Sequence, residues 1–396
     1  MDEDIALLED LIRVDSSTSN GNETGVAKIL QKKLAEAGIT AKLIAYAPGR
    51  DNLVAEINPD APGPVLGFTG HEDVVDPGDP KAWTRGPFDP WIDGDRLYGR
   101  GSEDMKPGLA ALTLTLIRLK QSGFTHHVRL LATVGEEYGL LGAEQLTKLG
   151  YVDDLAGLIV GEGGDNALKW GHGGSYNYRV LSHGRSAHSG NPKNGVNALS
   201  KLAQFYLAEQ HLFDDVAPNP YIGEFVHSVT MLHGGTQINT IPDTAELRGN
   251  ARPTPTFTND QVTARFEGLV NKLNAEGDGT LEFQQIHNII PVESDPHGKL
   301  LTVLRQAVKT ERGLDFTPIF TQGATDASAF VKSANKFDVV WYGPTADVGA
   351  TGHRIDEYVS IARFRHAQKI YEQVARQFFE GSGAKLKLSV DQSDCF

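Results

Sequence analysis

Histidines and carboxylates gather at five places in this 396-residue chain. Gly70-His71-Glu72-Asp73 follows the apolar run Pro64–Thr69, and Gly135-Glu136-Glu137 follows His127–Val134. Gly161-Glu162-Gly163-Gly164-Asp165 follows Ala156–Val160. Asp338–Tyr342 leads through Gly343-Pro344 to Gly352-His353 and then Asp356-Glu357. The fifth cluster, Gly99-Arg100-Gly101-Ser102-Glu103-Asp104-Met105-Lys106, sits where a turn opens a helix. Two histidines and three or four carboxylates, with no thiolate, suit zinc or a neighbouring divalent metal. One carboxylate bridging two ions would give a site about 3.5–4 Å across, which clamps a nucleophilic water and the oxygen it attacks. Adjacent Glu136 and Glu137 at the end of a buried strand are costly unless a cation or a proton compensates them. One can ligate metal while the other takes the proton from water. Asp73, two residues after His71, could orient that imidazole.

Each feature has a plainer reading. Most of the thirteen histidines are expected to be structural or solvent-facing, His126, His127, His211 and His366 among them. A Glu-Glu pair usually marks a helix N-terminus, Asp104 could be a helix N-cap, and Glu162 a loop acid. Those readings together require several unrelated acids to stop at strand ends by accident.

The elements that must position these residues follow from apolar spacing. Helical periodicity covers 3–14 and 23–37, and an apolar helix covers 105–120. Thr40–Tyr46, Asn52–Ile57, Pro64–Thr69, His127–Val134 and Ala156–Val160 read as strands, several with the continuous apolar runs of a buried sheet. This alternation predicts an α/β layer with a mostly parallel sheet. Ligands bind beyond the carboxyl ends of such strands, so clusters far apart in sequence can converge there. After about residue 173 the texture changes. Strand-like Ser175–Ser182, a helix at about 196–210, strand-like Glu224–Leu232 and Ala245–Ala251, a helix at about 258–275 and strand-like Thr280–Ile286 follow. Strand–helix–strand–strand–helix–strand predicts a ferredoxin-like α+β unit. The α/β texture returns with helices at 298–311 and 360–379 around the strand Asp338–Tyr342. The expected organisation is one α/β domain, 1–173 and 289–396, interrupted by an inserted domain, 174–288. The tail after about 382 reads as surface or disordered.

The net charge of −14 argues against nucleic acid and anionic lipid as partners. No run of about 18 apolar residues exists, so no membrane span is expected. The first residues lack the basic start and apolar stretch of a signal peptide. The one cysteine, Cys395, allows no internal disulfide and suits a reducing cytosol, so a cytoplasmic location is expected.

At these positions the chain resembles the dinuclear-zinc amidohydrolases that include succinyl-diaminopimelate desuccinylase, acetylornithine deacetylase, aminoacylase and glutamate carboxypeptidase. The resemblance runs from residue 5 to about 380. It rests on Gly70-His71-Glu72-Asp73-Val74-Val75, Leu97-Tyr98-Gly99-Arg100-Gly101 through Asp104-Met105-Lys106, Glu136-Glu137-Tyr138-Gly139, Gly161-Glu162, and Gly343-Pro344 with His353 and Glu357. It implies that His71 and Glu162 hold one zinc, Glu137 and His353 the other, and Asp104 bridges them. Cobalt is a possible substitute. It further implies that Glu136 is the general base, that Asp73 supports His71, and that the Asp104–Met105 peptide is cis. Gly184-Arg185-Ser186-Ala187-His188-Ser189 matches a family motif whose histidine stabilises the oxyanion. Asn239 and Arg252 match substrate-recognition positions, and Gly323-Ala324-Thr325-Asp326 resembles a glycine-rich loop near the substrate.

The family expectation is a deacylase of small N-acyl amino acids. The texture of Leu130–Asp154 and Ile238–Arg252 is closest to the desuccinylase-type deacylases of low-GC Gram-positive bacteria. A metallo-dipeptidase or carboxypeptidase on the same scaffold is the rival, with an acetylornithine deacetylase or aminoacylase nearer at hand. A binding protein that kept the scaffold without the site is opposed by intact His71, Asp104, Glu136, Glu137, Glu162 and His353. The resemblance also implies a homodimer joined through the inserted domain, with His188 reaching the partner's metal site. Three positions depart from the family pattern: Gly135 stands where many members carry Asp, Gly163-Gly164 follow Glu162, and Thr345 follows Gly343-Pro344. None removes a ligand, and they leave the substrate open.

Overall fold

The computed structural model describes residues 2–163 and 166–380. The expectations for the tail after 382, for Cys395, and for Gly164-Asp165 lie outside the described residues. The centre of the molecule is a nine-stranded sheet. Its order is Ala41–Ala47, Arg50–Ile57, Val128–Thr133, Val65–His71, Leu155–Val160, Asp338–Trp341, Lys169–His172 and Val292–Glu293, with Ile319–Thr321 alongside Lys169–His172. The middle of the sheet is parallel. Val65–His71 pairs in parallel with Val128–Thr133 on one side and Leu155–Val160 on the other, and the latter pairs in parallel with Asp338–Trp341. These strands are almost wholly buried, which is why they read as continuous apolar runs rather than alternating ones.

Alternate side chains feed two cores. Leu66, Phe68, Leu130 and Ala132 join the helices Glu3–Arg13, Glu23–Glu36, Lys106–Gln121, Lys299–Arg312 and Ile361–Phe379 on one face. Val65, Leu131, Leu158 and Val160 join the helix Leu141–Lys148 and the short helix Ala327–Phe330 on the other. The helix Lys106–Gln121 is buried along most of its length. Its Gly108 lies so close to the sheet that a Cβ would stand 1.7 Å from the Gly161 carbonyl oxygen. That approach brings the turn before the helix, with Asp104, up against the end of Leu155–Val160.

A second sheet is antiparallel, in the order Val226–Gly234, Thr244–Arg252, Ser175–His183, Thr280–Ile289. The helices Ala198–Glu209 and Asn259–Asn274 complete a βαββαβ unit, the ferredoxin-like arrangement. Its own core gathers Tyr176, Tyr178, Val180, Phe205, Leu247 and Phe266. Ser175–His183 alternates buried and half-exposed residues, as its sequence does.

Several short pieces escape apolar spacing. Trp91–Asp93, Arg96–Tyr98 and Tyr358–Ser360 form a small three-stranded sheet. Three residues are too few to show a period, and Tyr358–Ser360 pairs across more than 250 positions. No helix of the described residues is long and apolar enough to cross a membrane.

Candidate active site

His71 is the last residue of its strand. Its neighbour Val128–Thr133 ends level with it, Thr133 opposite His71, and the chain turns at Gly135 (φ +65°) into Glu136-Glu137. On the other side Thr69 stands opposite Val160, so Glu162 emerges beside His71. The alignment of parallel strands therefore delivers three of the clusters to one edge. Asp104 arrives from the turn before Lys106–Gln121, and His353 from the long loop between Asp338–Trp341 and Tyr358–Ser360.

Asp104 lies between the two histidines. His71 Nε2 is 3.1 Å from its Oδ1, and His353 Nε2 is 3.1 Å from its Oδ2. His353 Nε2 is also 2.8 Å from Glu137 Oε1. Three trios bring ligand atoms within 4.8 Å of one another: His71, Asp104 and Glu162; Asp104, Glu137 and His353; and His71, Glu136 and Glu137. The Asp104–Met105 peptide is cis.

The electrostatics call for a cation. Burial would lower the His71 imidazolium, but Asp104, Asp73 and Glu136 outweigh it and raise the group well above its ordinary value. Asp104 and Glu137 raise His353 to about 10. Burial works to raise the Asp104 carboxyl, yet the two imidazoles hold it below the usual range. Burial, and then Glu137, Glu162 and Asp326, push Glu136 well above the usual carboxylate value against the opposing His71. Burial and Asp104 do the same for Glu162. Glu162 Oε2 is buried with no hydrogen-bond partner among the described residues. A donor set of two imidazoles and several crowded carboxylates, one with an orphaned oxygen, fits divalent cations of the zinc class.

Asp73 contacts the His71 imidazole through its main chain rather than its carboxylate. His71 Nδ1 is 2.9 Å from the backbone carbonyl of Asp73, while the carboxylate stands 3.7 Å away. The carboxylate instead accepts the backbone N–H groups of Glu136 (3.0 Å) and Glu137 (3.1 Å). One residue thus fixes the imidazole through its main chain and the acidic turn through its side chain.

Beside the cluster opens a cavity of about 340 Å³, lined by Glu103, Asp104, Glu162, Lys169, Gly323, Trp341 and His353 among others. Gly323 is where a substrate loop was expected. Thr325 is buried, with its hydroxyl 3.2 Å from His172 Nε2. Lys169 and Trp341 were not anticipated as lining residues. The Lys169 ammonium stands 3.5 Å from the Trp341 ring centroid and donates to the Gly163 carbonyl at 3.3 Å. The available signal was a lysine inside the apolar stretch Leu168–Trp170.

His188, Asn239 and Arg252 lie apart from this cluster. Ala187–His188 pairs with Thr240–Ile241, and His188 Nδ1 accepts the Gly190 N–H at 3.0 Å. Arg252 pairs with Val226 at the edge of the second sheet. No hydrogen bond or ion pair joins these three to the His71–Glu162 cluster among the described residues.

Residues 67–377 match the pattern of peptidase family M20/M25/M40. The chain belongs to this family. Members of M20/M25/M40 are metal-dependent, and this chain is a hydrolase of that family. It is 33% identical to the "Probable succinyl-diaminopimelate desuccinylase" of Staphylococcus aureus (strain MRSA252), over 96% of this chain and 98% of that one. It is 29% identical to the "Succinyl-diaminopimelate desuccinylase" of Parvibaculum lavamentivorans, over 96% and 95%. Among solved structures, the M20 family metallo-carboxypeptidase Sso-CP2 of Sulfolobus solfataricus superposes with a TM-score of 0.79 at 19% identity, covering 96% of this chain and 99% of that one. That likeness establishes the shared mixed α/β fold.

Proposed function

We propose that this M20/M25/M40 member is a zinc-dependent deacylase that hydrolyses N-succinyl-LL-2,6-diaminopimelate to succinate and LL-diaminopimelate. The observation that carries the chemistry is Asp104 set between His71 and His353, with Glu136 and Glu137 alongside. The near-full-length likeness to the Staphylococcus aureus protein supports the substrate. His71 and Glu162 would hold one ion, Glu137 and His353 the other, with Asp104 shared, and cobalt could replace zinc. Bound ions of this class lower the pKa of water and polarise a carbonyl oxygen.

The protein's own groups do the rest. Glu136, which the Asp73 carboxylate holds by its backbone N–H, takes a proton from the attacking water and gives it to the leaving amine. Water adds to the amide carbon, the C–N bond breaks, and a carboxylate and an amine leave. Arg252 pairs its planar guanidinium with a substrate carboxylate, and Asn239, Gly323 and Thr325 contribute to recognition. His188 donates to the carbonyl oxygen as it gains charge.

Residues 174–288 act as a lid and dimerisation domain in this proposal, and the enzyme works in the cytoplasm. The edge strand Val226–Gly234 exposes Val226, Met231 and Leu232, a surface suited to pairing with a second copy. A second reading, a metallo-carboxypeptidase or dipeptidase, is favoured by the superposition on the Sulfolobus enzyme, and an acetylornithine deacetylase or aminoacylase activity would use the same site. A panel of N-succinyl, N-acetyl and dipeptide substrates, with added zinc or cobalt, separates them. The proposal expects the N-succinyl compound to have the highest kcat/KM. Faster turnover of dipeptides would sink it in favour of the peptidase.

A further inference from the structure

Two glutamates that no metal trio includes are among the best-satisfied acids in the molecule. Glu357 is buried and accepts four donors: Arg100 Nη1, Gly101 N (3.1 Å), Glu103 N (2.7 Å) and Asp104 N (2.9 Å). All four lie in the turn that presents Asp104. Glu103 is likewise buried and accepts Ala346 N (3.1 Å), Thr351 N and Gly352 N (2.6 Å), with the Thr351 hydroxyl 2.8 Å away. These donors lie in the loop that presents His353. Each segment therefore lends one carboxylate to hold the backbone of the other.

The His353 loop needs such holding. His353 has φ +64° and Asp356 φ +55°, left-handed conformations that are unfavourable for a non-glycine residue and persist where the surroundings over-determine them. The His353 side chain is about half exposed, whereas His71 is buried. Strand packing fixes His71, whereas His353 sits on a loop and is held at its Nε2 by Asp104 and Glu137. The loop also presses on its counterpart, since a Cβ at Gly352 would stand 3.3 Å from Asp104 Cβ.

We propose that Glu103 and Glu357 are positioning residues, a reciprocal carboxylate clasp that sets the His353 and Asp104 side chains for metal. The inference rests on the two-ion reading of Asp104, Glu137 and His353, and it assigns the two acids different consequences. Glu103 holds only the His353 loop, so its loss weakens one site. Glu357 holds Asp104, which both sites share, so its loss weakens both.

Zinc titration of the chelator-stripped full chain, followed by calorimetry and repeated with cobalt by absorption, tests this without reference to turnover. Glu103→Gln is expected to keep the first equivalent within about twofold of wild type and to weaken the second by roughly 10–100-fold, the scale of outer-shell partners of metal ligands. Glu357→Gln is expected to weaken both equivalents. The clasp is overturned if Glu103→Gln, folded by circular dichroism, binds both equivalents like wild type, or if the two variants give the same pattern. If either variant fails to fold, Glu103→Asp keeps the charge and shortens the reach by one methylene. A second equivalent weakened at least about threefold in that variant upholds the clasp, and an unchanged one overturns it. Failure of wild type itself to bind two equivalents would instead refute the underlying two-ion reading.

Discussion

Glu136 and Glu137 are neighbours in sequence with divided surroundings. Glu137 lies 2.8 Å from His353 and near Asp104. Glu136 is half-buried, and desolvation together with Glu137, Glu162 and Asp326 pushes its proton affinity up. A carboxylate whose proton affinity is raised suits a group that must accept a proton and return it. Replacement by Gln keeps the volume and removes that capacity. Glu136→Gln is expected to lower kcat by at least about 10²-fold with zinc content unchanged by elemental analysis. Normal turnover in that variant would show that the base lies elsewhere. His71, Asp104, Glu136, Glu137, Glu162 and His353 were legible in the sequence because each sits against an apolar run or glycine turn, and strand ends are where an α/β sheet binds ligands. Asp73 was legible only as an acid near a histidine. Which of its oxygens faces the imidazole depends on how Thr133 lies beside His71, and spacing does not encode that register. Glu103 and Glu357 stood in the quoted motifs, but what they hold was hidden for a similar reason, since each bonds to backbone about 250 positions away.

At the scale of elements, the far end of the sheet is tied together by one buried cation. Arg129 stands opposite Glu56 on the adjacent strand and donates to its carboxylate at 2.8 Å. It also reaches the Asp154 carboxylate and the Tyr151 carbonyl, just before Leu155–Val160. His127 adds a second contact to Glu56 at 2.8 Å. Burial alone would raise the Glu56 carboxyl, and Arg129 and His127 reverse this and hold it below its ordinary value. Burial likewise opposes the lowering of Asp154 by Arg129. Depressed carboxylates contribute stability that is present above their unfolded values, near pH 4, and is lost as pH falls through the folded ones. Arg129→Met is expected to cost on the order of 2 kcal/mol at pH 7. That gap should narrow between about pH 5 and pH 3, as read from urea unfolding midpoints. A gap that stayed constant to pH 3 would contradict the assignment. The long strands and helices here were legible because burial writes itself as apolar runs, whereas the three-residue strands around Arg96–Tyr98 exist only through their partners.

The molecule as a whole gathers its candidate ligands at the edge of the central sheet and places His188, Asn239 and Arg252 on or beside other strands, with no bond between the groups among the described residues. A second copy docked along Val226–Gly234 would bring a partner's His188 within reach when the lid closes, in the proposed homodimer. Inactive His188→Ala and inactive Glu136→Gln chains, mixed and allowed to exchange, should then regain activity. Each mixed dimer would hold one intact site and one doubly defective site, so an equal mixture should reach about a quarter of wild-type turnover. A mixture that stays inactive despite demonstrated exchange would place His188 outside the partner's site.

The cluster around Asp104 is expected to hydrolyse an amide only when it holds divalent metal. The most direct measurement is the hydrolysis rate of N-succinyl-LL-2,6-diaminopimelate by chelator-stripped protein as zinc is restored, with bound zinc per chain measured on the same samples. Stripped protein is expected to show no turnover, and activity should rise as zinc binds, to a limit at about two ions per chain. Full turnover by protein without measurable metal would contradict it.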